Sequence, residues 1–112
     1  MTAAVYNLVI DQGSDFAVQL ALAEDGSVKD LTGYSARAQL RLKKTSVEKA
    51  ADFNCIVTNP SGGVVSMQLN NTITASLAAG IYYYDLELFT AGDTIVTRLL
   101  EGQATITQEV TR

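Results

Sequence analysis

Apolar and polar residues alternate with a period of two along most of the chain, and Gly, Asn and Asp interrupt the alternation at short intervals, which predicts half-buried antiparallel strands. Roughly seven to nine such strands fit, the count and spacing of an all-β, immunoglobulin-like antiparallel β-sandwich. Composition points the same way: 47% of the 112 residues are hydrophobic and 18% charged, which suits a folding chain. The length suits one domain over residues 1–112, and no internal repeat or low-complexity linker divides it.

A first strand is predicted over residues 5–10. In residues 16–22 the even positions place Phe16, Val18, Leu20 and Leu22 on one face, and the strand ends at Glu24-Asp25-Gly26-Ser27, where Asp-Gly supplies the positive φ angles of a tight turn. Residues 34–43 alternate Tyr34, Ala36, Ala38, Leu40 and Leu42 against Ser35, Arg37, Gln39, Arg41 and Lys43 without an error. The polar face of that strand carries three of the eight basic residues, so it is either solvated or opposed by acids on a neighbouring strand.

Residues 44–51 are polar and too short for an independent helix, and read as a connector. Strands over residues 52–58 and 64–69 form a hairpin through Asn59-Pro60-Ser61-Gly62-Gly63, the turn that holds the only proline. Residues 71–79 predict one helical turn closed by Gly80. A long strand over residues 81–89, a turn at Ala91-Gly92-Asp93 and a returning strand over residues 94–101 follow. Gly102 breaks that last run before residues 103–110 resume the alternation, with Ala104, Ile106 and Val110 on one side, and the break predicts a bulge or a corner between sheets.

Several function classes lose their chemistry at the level of composition. Eight Lys and Arg against twelve Asp and Glu leave a net charge of −4, a sign that repels phosphate backbones and anionic lipid headgroups, so neither nucleic acid nor a membrane is an expected partner. There is no histidine, the usual proton-transfer residue near neutral pH and the usual ligand of transition metals. Cys55 is the only cysteine, so one chain can form neither a disulfide nor a multi-cysteine cluster. No apolar run approaches the ~20 residues that span a bilayer, and the opening Met1-Thr2-Ala3-Ala4 lacks the pattern of a signal peptide, which predicts a soluble, unprocessed product.

The remaining constellations have structural readings. In Gly80-Ile81-Tyr82-Tyr83-Tyr84, Tyr82 falls where immunoglobulin-type sandwiches place a corner tyrosine, Tyr84 takes the inward position of the absent cysteine, and Tyr83 faces outward, the better candidate for a contact surface. Asp11, Asp15, Asp25 and Asp30 lack the ligand density of a calcium loop and suit turn chemistry. Asp85 and Glu87 share one strand face, where a salt bridge to Arg98 is a simpler reading than a glycosidase pair. Asn70-Asn71-Thr72 is a glycosylation sequon that chance often produces. Cys55 shares a face with Phe53 and Val57 and reads as a small buried apolar residue, not a catalytic thiol. No cofactor and no metal is implied.

Several stretches together are similar to a family of small virion proteins of tailed bacteriophages, including phages of cyanobacteria and other marine bacteria. They are the run from Tyr6-Asn7-Leu8-Val9-Ile10 through Asp11-Gln12-Gly13-Ser14-Asp15-Phe16, the segment Asp30-Leu31-Thr32-Gly33-Tyr34-Ser35-Ala36-Arg37-Ala38-Gln39-Leu40-Arg41, Gly80-Ile81-Tyr82-Tyr83-Tyr84-Asp85-Leu86-Glu87-Leu88, Arg98-Leu99-Leu100-Glu101-Gly102, and the end Glu109-Val110-Thr111-Arg112. Residues 44–70 are the least diagnostic part. Asp-Leu-Thr-Gly-Tyr also occurs at the start of immunoglobulin-like modules in phage baseplate and receptor-binding assemblies, so it specifies architecture better than position in the particle.

The resemblance implies a non-enzymatic structural subunit of the tail, baseplate or fibre region, with other phage structural proteins as partners and a homo-oligomer as a further option. A capsid decoration protein and a carbohydrate- or receptor-binding module are the alternatives, the latter weakened by the absence of Trp. The virion exterior is the expected location, since an acidic chain avoids packaged DNA. Arg37, Gln39, Arg41, Tyr83 and Arg98, on outward faces or strand ends, are the expected contact residues.

Overall fold

The computed structural model describes residues 4–24 and 26–111, so Asp25 of the first predicted turn lies outside the described residues. The described residues form eleven strands in order: β1 (Ala4–Val5), β2 (Leu8–Asp11), β3 (Phe16–Ala21), β4 (Ala23–Glu24), β5 (Ser27–Val28), β6 (Ser35–Arg41), β7 (Ala51–Asp52), β8 (Asn54–Asn59), β9 (Val64–Leu69), β10 (Gly80–Phe89) and β11 (Val96–Thr107). A single α-helical turn, α1 (Asn71–Ser76), joins β9 to β10.

The strands form two packed sheets and a small β4–β5 hairpin. The larger sheet runs β1-β11-β10-β6-β7, with β2 also pairing β11, and the smaller runs β3-β9-β8. The second, fourth and fifth principal strands on one side (β3, β8, β9) face the third, sixth and seventh (β6, β10, β11) on the other, apart from the leading strand, in the manner of an immunoglobulin-like sandwich.

That leading strand differs from expectation in two ways. It splits into β1 and β2, and both pair parallel, not antiparallel, with β11. The hairpin with β10 fixes the direction of β11. The chain must run along the same edge to the end where the Gln12–Gly13–Ser14 turn leads into β3, and that direction is parallel to β11.

Inward side chains from the two sheets make the core. Ile10, Leu31, Leu40, Met67, Leu86, Leu88 and Ile106 are fully buried, and Phe53 lies between Phe16 and Tyr84, its ring centroid 6.2 Å from one and 6.1 Å from the other. Among the described residues no buried side-chain nitrogen or oxygen lacks a hydrogen bond, as expected where desolvating an unpaired polar group is costly. Buried Thr74, for example, donates from Oγ1 to the Ser14 carbonyl at 2.8 Å.

Three other elements depart from the sequence reading. Residues 52–58 are not one strand: Asp52 belongs to β7 in the larger sheet, Phe53 crosses the sandwich, and β8 joins the smaller sheet. Gly80 does not close α1; Leu77 caps the helix and Gly80 opens β10 with φ 145°. Leu42, expected inside, is exposed because β6 ends at Arg41.

Gly102 likewise does not interrupt β11, which is continuous from Val96 to Thr107. The register shift lies at Leu99, where Leu86 pairs with Leu100 but Glu87 pairs with Arg98. The glycine is needed for a different reason: a Cβ there would stand 2.4 Å from the Tyr6 carbonyl oxygen, where the leading chain kinks between β1 and β2.

Candidate functional site: the outward face of the larger sheet

Strand register brings all five expected contact residues onto one surface. On β10 the odd positions point outward, and Tyr83 pairs with Arg41 and Gln103, Asp85 with Gln39 and Glu101, and Glu87 with Arg37 and Arg98. Three strands therefore present a polar checkerboard across the sheet, and its charges are arranged in pairs. Arg37 Nε donates to Glu87 at 2.9 Å and its NH1 lies 3.2 Å from Asp93, while the guanidinium covers the Phe89 ring at 4.5 Å. Arg98 lies 3.3 Å from Asp85 and 3.5 Å from Glu101.

The two expected carboxylates thus divide between two arginines: Asp85 pairs with Arg98, and Glu87 pairs with Arg37. Burial, then the like charge of Glu87, raises the Asp85 carboxyl above its ordinary range, with Arg98 pulling against them. Arg37 is raised above its ordinary value, chiefly by its hydrogen bond to Glu87.

Arg41 has a different task. Its NH1 donates to the carbonyls of Ser46 and Val47 at 3.0 and 2.8 Å, and its NH2 to Gln39 Oε1 at 2.9 Å, so it holds the connector of residues 44–50 against the sheet. Lys44, on that connector, stands 5.9 Å from the Tyr83 ring centroid. A shallow groove of about 200 Å³ results, with Tyr83 and Asp85 on its floor and Gln39, Arg41, Lys44, Arg98 and Glu101 around it. Val5, Val9 and Ile81 lie exposed beside it, toward the β2 end of the sheet.

The sequence reading missed Lys44 and Glu101 as members of this site. Lys44 carries no local signal, since only the fold of the connector returns it to Tyr83. Glu101 is misplaced by counting: a register taken from Phe89 opposite Val96 would set it against Tyr84 and inside, and the extra residue at Leu99 moves it opposite Asp85 and outward.

The tyrosines divide as the sequence predicts. Tyr82 is buried and its hydroxyl donates to the Ala78 carbonyl at 2.8 Å, the corner bond. Tyr84 is buried and its hydroxyl donates to the Tyr6 carbonyl. Two of the four aspartates considered for calcium serve loops, Asp30 accepting from the Thr32 amide and hydroxyl, which lowers its pKa, and Asp15 accepting from the Asn71 amide, while Asp11 accepts from the Thr107 hydroxyl across the β2–β11 pair. Asn70 of the sequon caps α1 by accepting from the Ile73 amide at 2.9 Å. Cys55 is half-buried, and burial followed by the nearby Asp52 charge pushes its thiol up to about 11, away from nucleophilic reactivity. Among the described residues no three His, Cys, Asp or Glu side chains gather as a metal site, and no helix is long and apolar enough to cross a membrane.

No protein-family model matches the chain, and no curated protein is similar to it in sequence. Similar solved structures include InlP of Listeria monocytogenes, at 14% identity and a TM-score of 0.49 over 91% of this chain. The cysteine protease inhibitor EhICP2 of Entamoeba histolytica aligns over 94% of this chain and 97% of its own, at 14% identity and a TM-score of 0.42. A family 123 glycoside hydrolase of Clostridium perfringens aligns over all of this chain, at 12% identity and a TM-score of 0.44. The chain spans about a quarter of InlP and of the hydrolase, at 26% and 24% of their lengths. Likeness at this level carries no functional argument. The assignment as an immunoglobulin-like β-sandwich rests on the strand order described above.

Proposed function

We propose that the chain is a non-enzymatic structural subunit of a tailed-bacteriophage particle, in its tail, baseplate or fibre region, and that it docks to other phage structural proteins through the outward face of the larger sheet. The observation that carries the docking surface is the convergence of Arg37, Gln39, Arg41, Tyr83 and Arg98 on that one face. The phage assignment rests on the sequence resemblance, which spans nearly the whole chain.

Within this reading the five residues have separate roles. Arg37, held by Glu87 and Asp93 outside the groove, shapes the face, whereas Tyr83, Gln39, Arg41 and Arg98 line the groove a partner would enter, Arg41 also holding the connector and Arg98 being paired with Asp85 and Glu101. The non-enzymatic reading is supported by the lack of histidine and by the paired state of Asp85 and Glu87. A sugar-binding module is less well supported, because the groove floor offers one outward aromatic ring, Tyr83, and the other ring on this face, Phe89, is covered by Arg37.

Purified particles of the phage that encodes the chain provide the test. Imaging and mass spectrometry are expected to locate it on the exterior at the tail, and Tyr83→Ala with Arg98→Ala to lower its incorporation. A chain absent from particles would overturn the proposal, and full incorporation of the double variant would overturn the choice of face.

A further inference from the structure

The two packed sheets have five outer strands among the described residues, and four of them are short or carry features that discourage pairing with another chain. β7 is two residues long and is flanked by the Lys49–Asp52 ion pair at 2.6 Å. β8 is bulged, its register with β9 shifting between Val57 and Asn59. β1 is only two residues long, and β2 on the same edge is four residues long and ends on the charged Asp11.

β3 has none of these protections. It is six residues long and paired in unbroken register with β9 from Phe16 to Ala21, with no described strand on its other side. Residues 16–22, Phe16-Ala17-Val18-Gln19-Leu20-Ala21-Leu22, contain no charge, proline or glycine. The inward side chains Phe16, Val18, Leu20 and Leu22 are only partly buried at this rim of the sandwich.

We propose that β3 pairs antiparallel with β3 of a second copy of this chain, joining two three-stranded sheets into one across a two-fold axis. The open backbone edge calls for an extended strand, and the pattern of β3 makes its own copy a matching one. Side chains alternate between faces, so an antiparallel pair keeps apolar residues together only in alternate registers. One such register puts Gln19 opposite its own copy, Phe16 opposite Leu22, Val18 opposite Leu20 and Ala17 opposite Ala21. Every inward pair is then apolar, and every outward pair is small or amide.

Charge selects the same edge. Two copies each bearing −4 repel, and the Arg37, Arg98 and Lys49 ion pairs lie on the outward face or far edge of the other sheet. The β3 edge brings no charged side chain of either strand into opposition, so like-charge repulsion is least there. The outer face of the smaller sheet continues this neutrality through Gln68, Ser66, Asn54 and Ile56, paired in register with β3 through β9. The inference does not depend on the phage reading, because the pairing is a property of the isolated chain.

Sedimentation of the purified chain across a wide concentration range tests it. The expected result is a reversible monomer–dimer equilibrium that Ala17→Lys with Gln19→Lys shifts to monomer, because four outward lysines then meet at the junction. The thermal midpoint of the monomer is expected to stay unchanged, and Tyr83→Ala with Arg98→Ala to leave the dimer intact. Hydrogen exchange on the unmodified chain gives an independent reading: amide protection that rises with concentration should fall within residues 16–22. A chain monomeric at every concentration, a dimer indifferent to the lysines, or protection confined to other strands would each overturn the proposal.

Discussion

At the scale of single residues, the tyrosine run shows how one hydroxyl can fix a chain reversal. Tyr82 ties the start of β10 to Ala78, and because Ala78 is exposed, water can replace the lost partner of its carbonyl. Tyr82→Phe is therefore expected to cost about 1 kcal/mol, read as a lower denaturant midpoint at an unchanged slope. Alkaline pH tests two further groups. Folding raises the Cys55 thiol from 9.0 to about 11 and the Tyr84 phenol from 10.0 to about 12, burial being the main cause of each. The folded state holds both protons more tightly than the unfolded chain does. Stability is thus fully present below the ordinary values and lost as pH rises from 9.0 through about 11 for the thiol and from 10.0 through about 12 for the phenol. Melting temperature should fall over that window, and Cys55→Ala should flatten its lower part. The positions of Tyr82 and Tyr84 are legible from alternation and a corner motif. The acceptors of their hydroxyls are not, because Tyr6 lies far along the chain from Tyr84 and only the packed sheet brings it near.

At the scale of elements, a period-two pattern reports which face a residue takes but not which strand it opposes. Residues 35–41 and 16–21 fold as the alternation indicates. The pattern is blind to the parallel pairing of β1 and β2 and to the passage of residues 51–59 from one sheet to the other, since neither changes local alternation, and the extra residue at Leu99 shows in it only as the adjacent buried pair Leu99 and Leu100. Gly102 illustrates the difference. A glycine inside an alternating run signals a break, yet here it leaves room for the carbonyl of a neighbouring strand while β11 continues. Gly102→Ala forces that carbonyl or the kinked leading strand to move, and is expected to destabilise by about 1–3 kcal/mol, measured by thermal or denaturant unfolding. Hydrogen exchange should show the loss of protection centred on β1 and β2.

At the scale of the whole molecule, the two sheets are held together by one shared core, and Phe53 is its crossing point. It is buried where the chain passes between sheets and touches rings from both, Phe16 on the smaller and Tyr84 on the larger. Phe53→Ala removes contacts to both layers and is expected to cost about 3–5 kcal/mol. Unfolding monitored by tyrosine fluorescence and by circular dichroism should remain a single coincident transition if the sandwich is one cooperative unit. Separate transitions for the two sheets would contradict that.

Alternation is a local property of an extended backbone, so it is enough to specify the β class, the faces of the principal strands, the buried tyrosines and the outward placement of Arg37, Gln39, Arg41, Tyr83 and Arg98. Which acids those arginines meet, that Lys44 and Glu101 join them, and that β3 is left as the unprotected edge follow from packing between distant segments. Pairing partners are set by register and chain direction across distant segments, and a single inserted residue such as Leu99 reverses the outcome.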